Sequence, residues 1–96
     1  MKIESVEVRQ IVREYGSPVY VYSMKALRDS IAEIKHLAPV VRYAMKACSN
    51  QNILREIKNS GVKIDAVSVY EVRRAIKAGF HPQDVCFTSD VFFNRD

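Results

Sequence analysis

Short apolar runs at residues 40–44, 62–67 and 84–88 alternate along this chain with stretches whose apolar residues recur at helical spacing. After the first run comes a polar turn, Cys48, Ser49 and Asn50. Ile53, Leu54 and Ile57 then form a stripe at i, i+1 and i+4 that predicts a helix over 51–60. Ser49 or Asn50 is placed to cap its start, and Gly61 stands where a left-handed C-terminal cap belongs. The second run follows at once. Ser68 and Glu71 have the spacing of a capping box, in which the serine oxygen accepts from the third helical amide and the glutamate reaches back. Val72, Ala75 and Ile76 supply the apolar stripe of this helix, Gly79 closes it, and a turn at Phe80, His81 and Pro82 leads to the third run.

Strands that begin near residues 40, 62 and 84, with a helix between each pair, predict a parallel sheet with helical crossovers. A parallel sheet needs cover on both faces. A doubly wound sheet provides it, and so does a (β/α)8 TIM barrel, which takes about 250 residues when complete. The expected class is α/β, and this chain would hold at most the opening third of a barrel, a truncated piece. Ahead of these units, residues 5–15 read as a short amphipathic helix ended by Gly16, and Val19 to Tyr22 as an extended segment after Pro18. Ser23 can cap a further helix over 24–37, with Leu27, Ile31 and Ile34 inside. The expected division is therefore 1–22, an N-terminal helix and extended segment, and 23–96, a partial barrel. Near the far end Val91, Phe92 and Phe93 form an apolar patch that looks cut from something larger.

Composition narrows the class without naming a function. At 48% hydrophobic and 27% charged, the 96 residues suit one globular domain. Apolar stretches of a few residues are far short of a membrane span, and the N-terminus lacks a signal-peptide pattern, so the expected setting is cytoplasmic with no membrane partner. The net charge of +4 comes from 15 basic residues interspersed among 11 acids, without the block that a nucleic-acid footprint requires. Cys48 and Cys86 lack metal-ligand spacing, so no metal site is expected; both are read as reduced thiols, with Cys86 in a core strand.

Lys46 carries the best clue to chemistry. Strand alternation sends Val40, Arg42, Ala44 and Lys46 to one face and Val41, Tyr43 and Met45 to the other, which leaves Lys46 at the strand's carboxyl tip. In α/β folds ligands sit at that end, and a lysine amine there can condense with a carbonyl to form a Schiff base. The amine must first shed a proton, so burial or a neighbouring cation is expected around it. On position alone, an ordinary solvated loop lysine is the commoner outcome.

A resemblance adds to this. The order Gly-Ser-Pro-Val-Tyr-Val-Tyr, a helix, Arg-Tyr-Ala-Met-Lys-Ala, Ile-Asp-Ala-Val-Ser-Val-Tyr-Glu and Lys-Ala-Gly-Phe resembles the N-terminal part of the fold-type III pyridoxal-phosphate-dependent decarboxylases, most of all their diaminopimelate-specific branch. It extends from about residue 10 to residue 90. The resemblance implies a barrel of the alanine racemase-like type and pyridoxal 5'-phosphate as cofactor. It makes Lys46 the catalytic Schiff-base lysine, with Ala44 and Asp65 beside it in the cofactor's surroundings. The implied reaction is the decarboxylation of meso-diaminopimelate to L-lysine, by a parent that is a homodimer. The family commonly has asparagine where this chain has Cys48 and a glycine pair where it has Val69 and Tyr70, which leaves the substrate open. The family's glycine-rich phosphate turn, the glutamate facing the pyridine nitrogen and the C-terminal β-domain have no counterpart in these residues, so the piece alone is expected to be inactive and to self-associate.

Alternatives stay open on the residues themselves. Asp65 shares a strand face with Lys63 and Val67, and a structural ion pair with Arg42 explains it as well as a cofactor role does. Ser68 and Glu71 are explained by capping. A related ornithine, arginine or carboxynorspermidine decarboxylase, an amino-acid racemase, and a non-enzymatic small α/β binding module all remain compatible with this chain.

Overall fold

The computed structural model describes residues 1–88, and its regular elements follow the periodicities above with shorter boundaries. A two-stranded antiparallel hairpin, β1 (Lys2–Ile3) and β2 (Val6–Glu7), precedes helix α1 (Val8–Tyr15). Helix α2 (Met24–Lys35) comes next. Then the βα rhythm runs β3 (Arg42–Ala44), α3 (Gln51–Asn59), β4 (Lys63–Ala66), α4 (Val69–Lys77), a single 3-10 turn at Pro82–Asp84, and β5 (Val85–Phe87).

The three later strands form one parallel sheet in the order β3-β4-β5. Ala44, Asp65 and Cys86 stand in one row across it, and Tyr43, Ile64 and Val85 in the row before. Alternation divides these rows between two faces. Ile64 and Ala66 are fully buried under α3 and α4, in one cluster with Met45, Ile53, Leu54, Ile57, Val62, Ala75, Ala78 and Phe80. Burying side chains such as Leu54 or Ile64 stabilises the fold by roughly 1.5–3 kcal/mol each. The opposite face carries Arg42, Ala44, Lys63, Asp65 and Cys86, none of them buried. Among the described residues, nothing covers that face.

Capping explains why the helices begin and end where they do. Ser23 Oγ accepts from the Ala26 amide at 3.1 Å. The choice between Ser49 and Asn50 resolves to Asn50, whose Oδ1 accepts from Asn52 and Ile53. Ser68 Oγ accepts from the Glu71 amide at 3.2 Å, while Glu71 Oε1 accepts from the Val67 amide at 3.1 Å, one residue ahead of the expected partner. The glutamate thus ties the helix to the end of β4. Gly61 and Gly79 take positive φ of 79° and 107° after α3 and α4, conformations that cost a side chain with a Cβ.

Several expectations need correction. The hairpin at Lys2–Glu7 carries no turn signature, because Glu4 and Ser5 occupy the positive-φ positions that Asn or Gly usually fill. Val19 to Tyr22 joins no ladder, and Tyr20 is 92% exposed. Ile76 faces outward; Ala78 and Phe80 fill the space instead, so the expected turn at Phe80 delivers a core side chain. Cys86 lies in β5 as expected, but on the open face and exposed, because the strand's inward positions fall to Val85 and Phe87. Residues 91–93, with their apolar patch, lie outside the described residues.

The outline is elongated, with extents of 55 × 32 × 20 Å and a radius of gyration of 16.2 Å. A compact chain of this length would have roughly 12–13 Å. Helix α1 contributes no buried residue. Its apolar side packs instead with the hairpin and with Val19 to Tyr22, around a groove that includes Ile3, Ile11 and Tyr15.

Candidate active site at the carboxyl end of the sheet

Lys46 lies two residues beyond the end of β3, in a turn closed by the Ala47 amide donating to the Ala44 carbonyl at 3.2 Å. The preceding Met45 amide still donates to the Asp65 carbonyl at 3.4 Å, so the sheet holds the chain up to the residue before the lysine. Met45 itself is fully buried in the core. This places Lys46 at the carboxyl ends of the strands, where α/β folds present reactive groups. The expected burial is not found: among the described residues the side chain is exposed. Among the described residues its amine has no hydrogen-bond or ion-pair partner.

Asp65 and Ala44 are neighbours across the β3-β4 ladder on the open face. The ion pair of Asp65 with Arg42 does not form: Arg42 Nη1 donates to the carbonyls of Ile64 at 3.1 Å and Asp84 at 3.2 Å. Asp65 Oδ1 is buried with no partner among the described residues. A buried carboxylate oxygen without a donor is costly, of order 1–3 kcal/mol. Ala44, small and exposed, leaves room above the row.

Two tyrosines, Tyr22 and Tyr43, lie beside the lysine turn. Tyr43 donates its hydroxyl to the Cys48 carbonyl at 2.8 Å, and the Cys48 thiol donates to the Tyr22 hydroxyl at 3.7 Å. Burial pushes the Tyr43 phenol above its usual value, with the charge of nearby Cys48 adding to the effect and the hydrogen bond to the Cys48 backbone opposing it. The Tyr22 phenol is raised too, first by its hydrogen bond with Cys48 and then by that group's charge. The only signal for this pair in the sequence was the alternation that turns Tyr43 away from the open face.

Pyridoxal phosphate fits the polar groups present in part. An amine at the strand tip suits its aldehyde, and the orphaned Asp65 oxygen suits a proton-bearing partner. A glycine-rich phosphate cradle is not among the described residues, since each of the three glycines lies one or two residues after the end of a helix. Among the described residues no cluster of three or more acidic, histidine or cysteine side chains is placed to hold a metal ion, and no helix is long and apolar enough to cross a membrane.

Comparison with known proteins matches residues 21–94 to the family described as pyridoxal-dependent decarboxylase, pyridoxal binding domain. The diaminopimelate decarboxylase of Escherichia coli strain K12 is 49% identical over 82 residues, which cover 81% of this chain and 19% of that protein. That of Streptomyces coelicolor is 39% identical over 82 residues, covering 81% and 18%. A crystal structure of diaminopimelate decarboxylase superposes with a TM-score of 0.81 at 45% identity, covering 88% of this chain and 21% of that one. The chain spans about a fifth of the length of the curated relatives it matches.

Proposed function

The chain belongs to the pyridoxal-dependent decarboxylases, and on that premise we propose that it forms the opening part of an enzyme converting meso-diaminopimelate to L-lysine and carbon dioxide. The observation that carries this reading is the carboxyl end of the sheet, where Lys46 follows β3 just beyond a row holding small Ala44 and an Asp65 oxygen that has no partner among the described residues.

In this reading the three strands are the first βα units of a (β/α)8 barrel of the alanine racemase-like type. Both crossover helices cover the same face, as a barrel's outer ring requires, and the uncovered face would turn toward the barrel interior. Residues 23–96 would belong to that barrel and 1–22 to the segment leading into it.

Pyridoxal phosphate, when bound, supplies an aldehyde carbon and a ring that accepts the electron pair left by departing carbon dioxide. The protein's part is binding and orientation. Lys46 would hold the cofactor through its Nζ, and would take up and return a proton at that nitrogen as the substrate amine displaces it. Asp65 would accept a hydrogen bond from a protonated group facing the open side of the sheet. Ala44 would leave space for a flat ring to approach the backbone. The homodimer and the cytoplasmic setting belong to the same proposal.

The test uses the full-length protein. Release of L-lysine from meso-diaminopimelate is expected, and Lys46→Ala should remove both turnover and the cofactor that borohydride traps on the peptide containing residue 46. Turnover of ornithine, arginine or carboxynorspermidine in place of meso-diaminopimelate would move the protein to a related branch. Trapping on another lysine would overturn the role of Lys46.

A further inference from the structure

We propose that Tyr43 is a positioning residue that fixes the turn bearing Lys46, acting through the Cys48 carbonyl rather than through any contact with substrate. This deepens the reading of Lys46 given above and rests on it.

The geometry is local and specific. Three contacts link the turn to β3 and the core beneath it: Met45, fully buried in the core, the Ala47 amide on the Ala44 carbonyl, and the Tyr43 hydroxyl on the Cys48 carbonyl. The first two hold the near side of the turn, toward β3. The third ties the far side, where Cys48 has no regular secondary structure and the next helix begins only at Gln51, back to β3 itself. The other contacts on that side come from elsewhere, the Arg74 Nε of α4 donating to the Ser49 carbonyl at 3.1 Å and the Cys48 thiol to the Tyr22 hydroxyl. A lysine side chain has several free rotors, so the direction in which its amine is offered depends on the backbone that carries it. Lys46 has no side-chain tie of its own among the described residues.

The Tyr43 ring is well placed for this work. It lies on the helix-covered face, partly buried against the core, so its hydroxyl reaches the turn from the side opposite Asp65 and Ala44. A group there cannot obstruct a ligand on the open face. The phenol is protonated at neutral pH, the state in which it can donate, and burial raises its value further.

The experiment compares full-length wild-type protein with Tyr43→Phe and Cys48→Ala, first without cofactor and then during loading. Tyr43→Phe should speed amide exchange at Ala47 by about three- to tenfold, in line with the loss of one hydrogen bond, without a matching rise in the core amides of Ile57 and Ile64. It should also slow the trapping of pyridoxal phosphate on Lys46 by a similar factor, with unchanged final stoichiometry. Cys48→Ala removes the thiol but keeps the carbonyl, so it should leave both readouts near wild type.

Unchanged exchange at Ala47 together with unchanged trapping in Tyr43→Phe would overturn the proposal, and so would a uniform rise in exchange across the core, which marks a purely structural role. If trapping occurs on a lysine other than Lys46, the function assigned to Lys46 fails, while exchange at Ala47 still decides whether Tyr43 holds the turn. Should Tyr43→Phe fail to fold, isosteric difluorotyrosine at position 43, whose phenol ionises nearer neutrality, gives the same comparison. Exchange at Ala47 should then exceed that of wild type only at pH values where the modified phenol is ionised, and equal exchange throughout would refute the tie.

Discussion

The two ends of the β3-β4-β5 sheet treat charge in opposite ways. At the amino end, Arg42 donates to two backbone carbonyls, and Lys63 pairs with Asp84 at 3.5 Å. At the carboxyl end, the Lys46 amine and one Asp65 oxygen have no partner among the described residues. Paired charges need nothing further, whereas unpaired ones are tolerated where a ligand completes them. The difference separates residues that hold the sheet together from the residues to which the proposed reading assigns chemistry.

The sharpest way to break this contrast is Lys46→Ala. In the full-length protein it should reduce cofactor attachment by more than about a hundredfold while moving the thermal midpoint little, because exposed substitutions usually change stability by less than about 0.5 kcal/mol. A large fall in Tm would place Lys46 among the structural residues instead.

Asp65→Asn comes next. Removing the charge from an unsatisfied buried site should weaken cofactor binding by about tenfold in an absorbance titration, with the midpoint of urea unfolding unchanged or raised. A clear loss of stability would mean that Asp65 belongs with the amino-end network.

Arg42→Ala probes the other end. It removes two charge-assisted bonds and should lower unfolding free energy by about 1–2 kcal/mol in denaturant titration, leaving cofactor affinity within about twofold. Asp84→Asn, which breaks only a half-exposed ion pair, should cost no more than about 0.5 kcal/mol.

The smallest effect concerns pH. Because burial raises the Tyr43 phenol above its ordinary value near 10, its contribution to stability is fully present below about pH 10 and is lost as pH rises through the higher folded value. Alkaline unfolding followed by circular dichroism should therefore show a shallower loss of stability above about pH 10 in Tyr43→Phe than in wild type.

Much of the frame was legible in the residues. Apolar spacing at Ile53, Leu54 and Ile57 named a helix face that is indeed buried, and Ser23 and Ser68 cap the helices they precede. These features are local, set by side-chain period and by hydrogen bonds that span three or four residues. The expectations that failed depend on distant partners. Ile76 loses its place to Ala78 and Phe80, and Val19 to Tyr22 finds no strand to pair with. Alternation put Asp65 opposite the core, yet whether Arg42 reaches it depends on Asp84, a residue 42 positions further along that competes for the guanidinium through its carbonyl.

For this chain, then, the order of amino acids determined where strands and helices alternate, how the helices are capped, and that a single lysine follows the first parallel strand. Tertiary structure decided which face of the sheet stays open, which charges are satisfied, and that Tyr43 closes over the lysine turn. The reason is physical: periodicity and capping act within a few residues, whereas burial and charge pairing depend on groups brought together only when separate strands and helices pack.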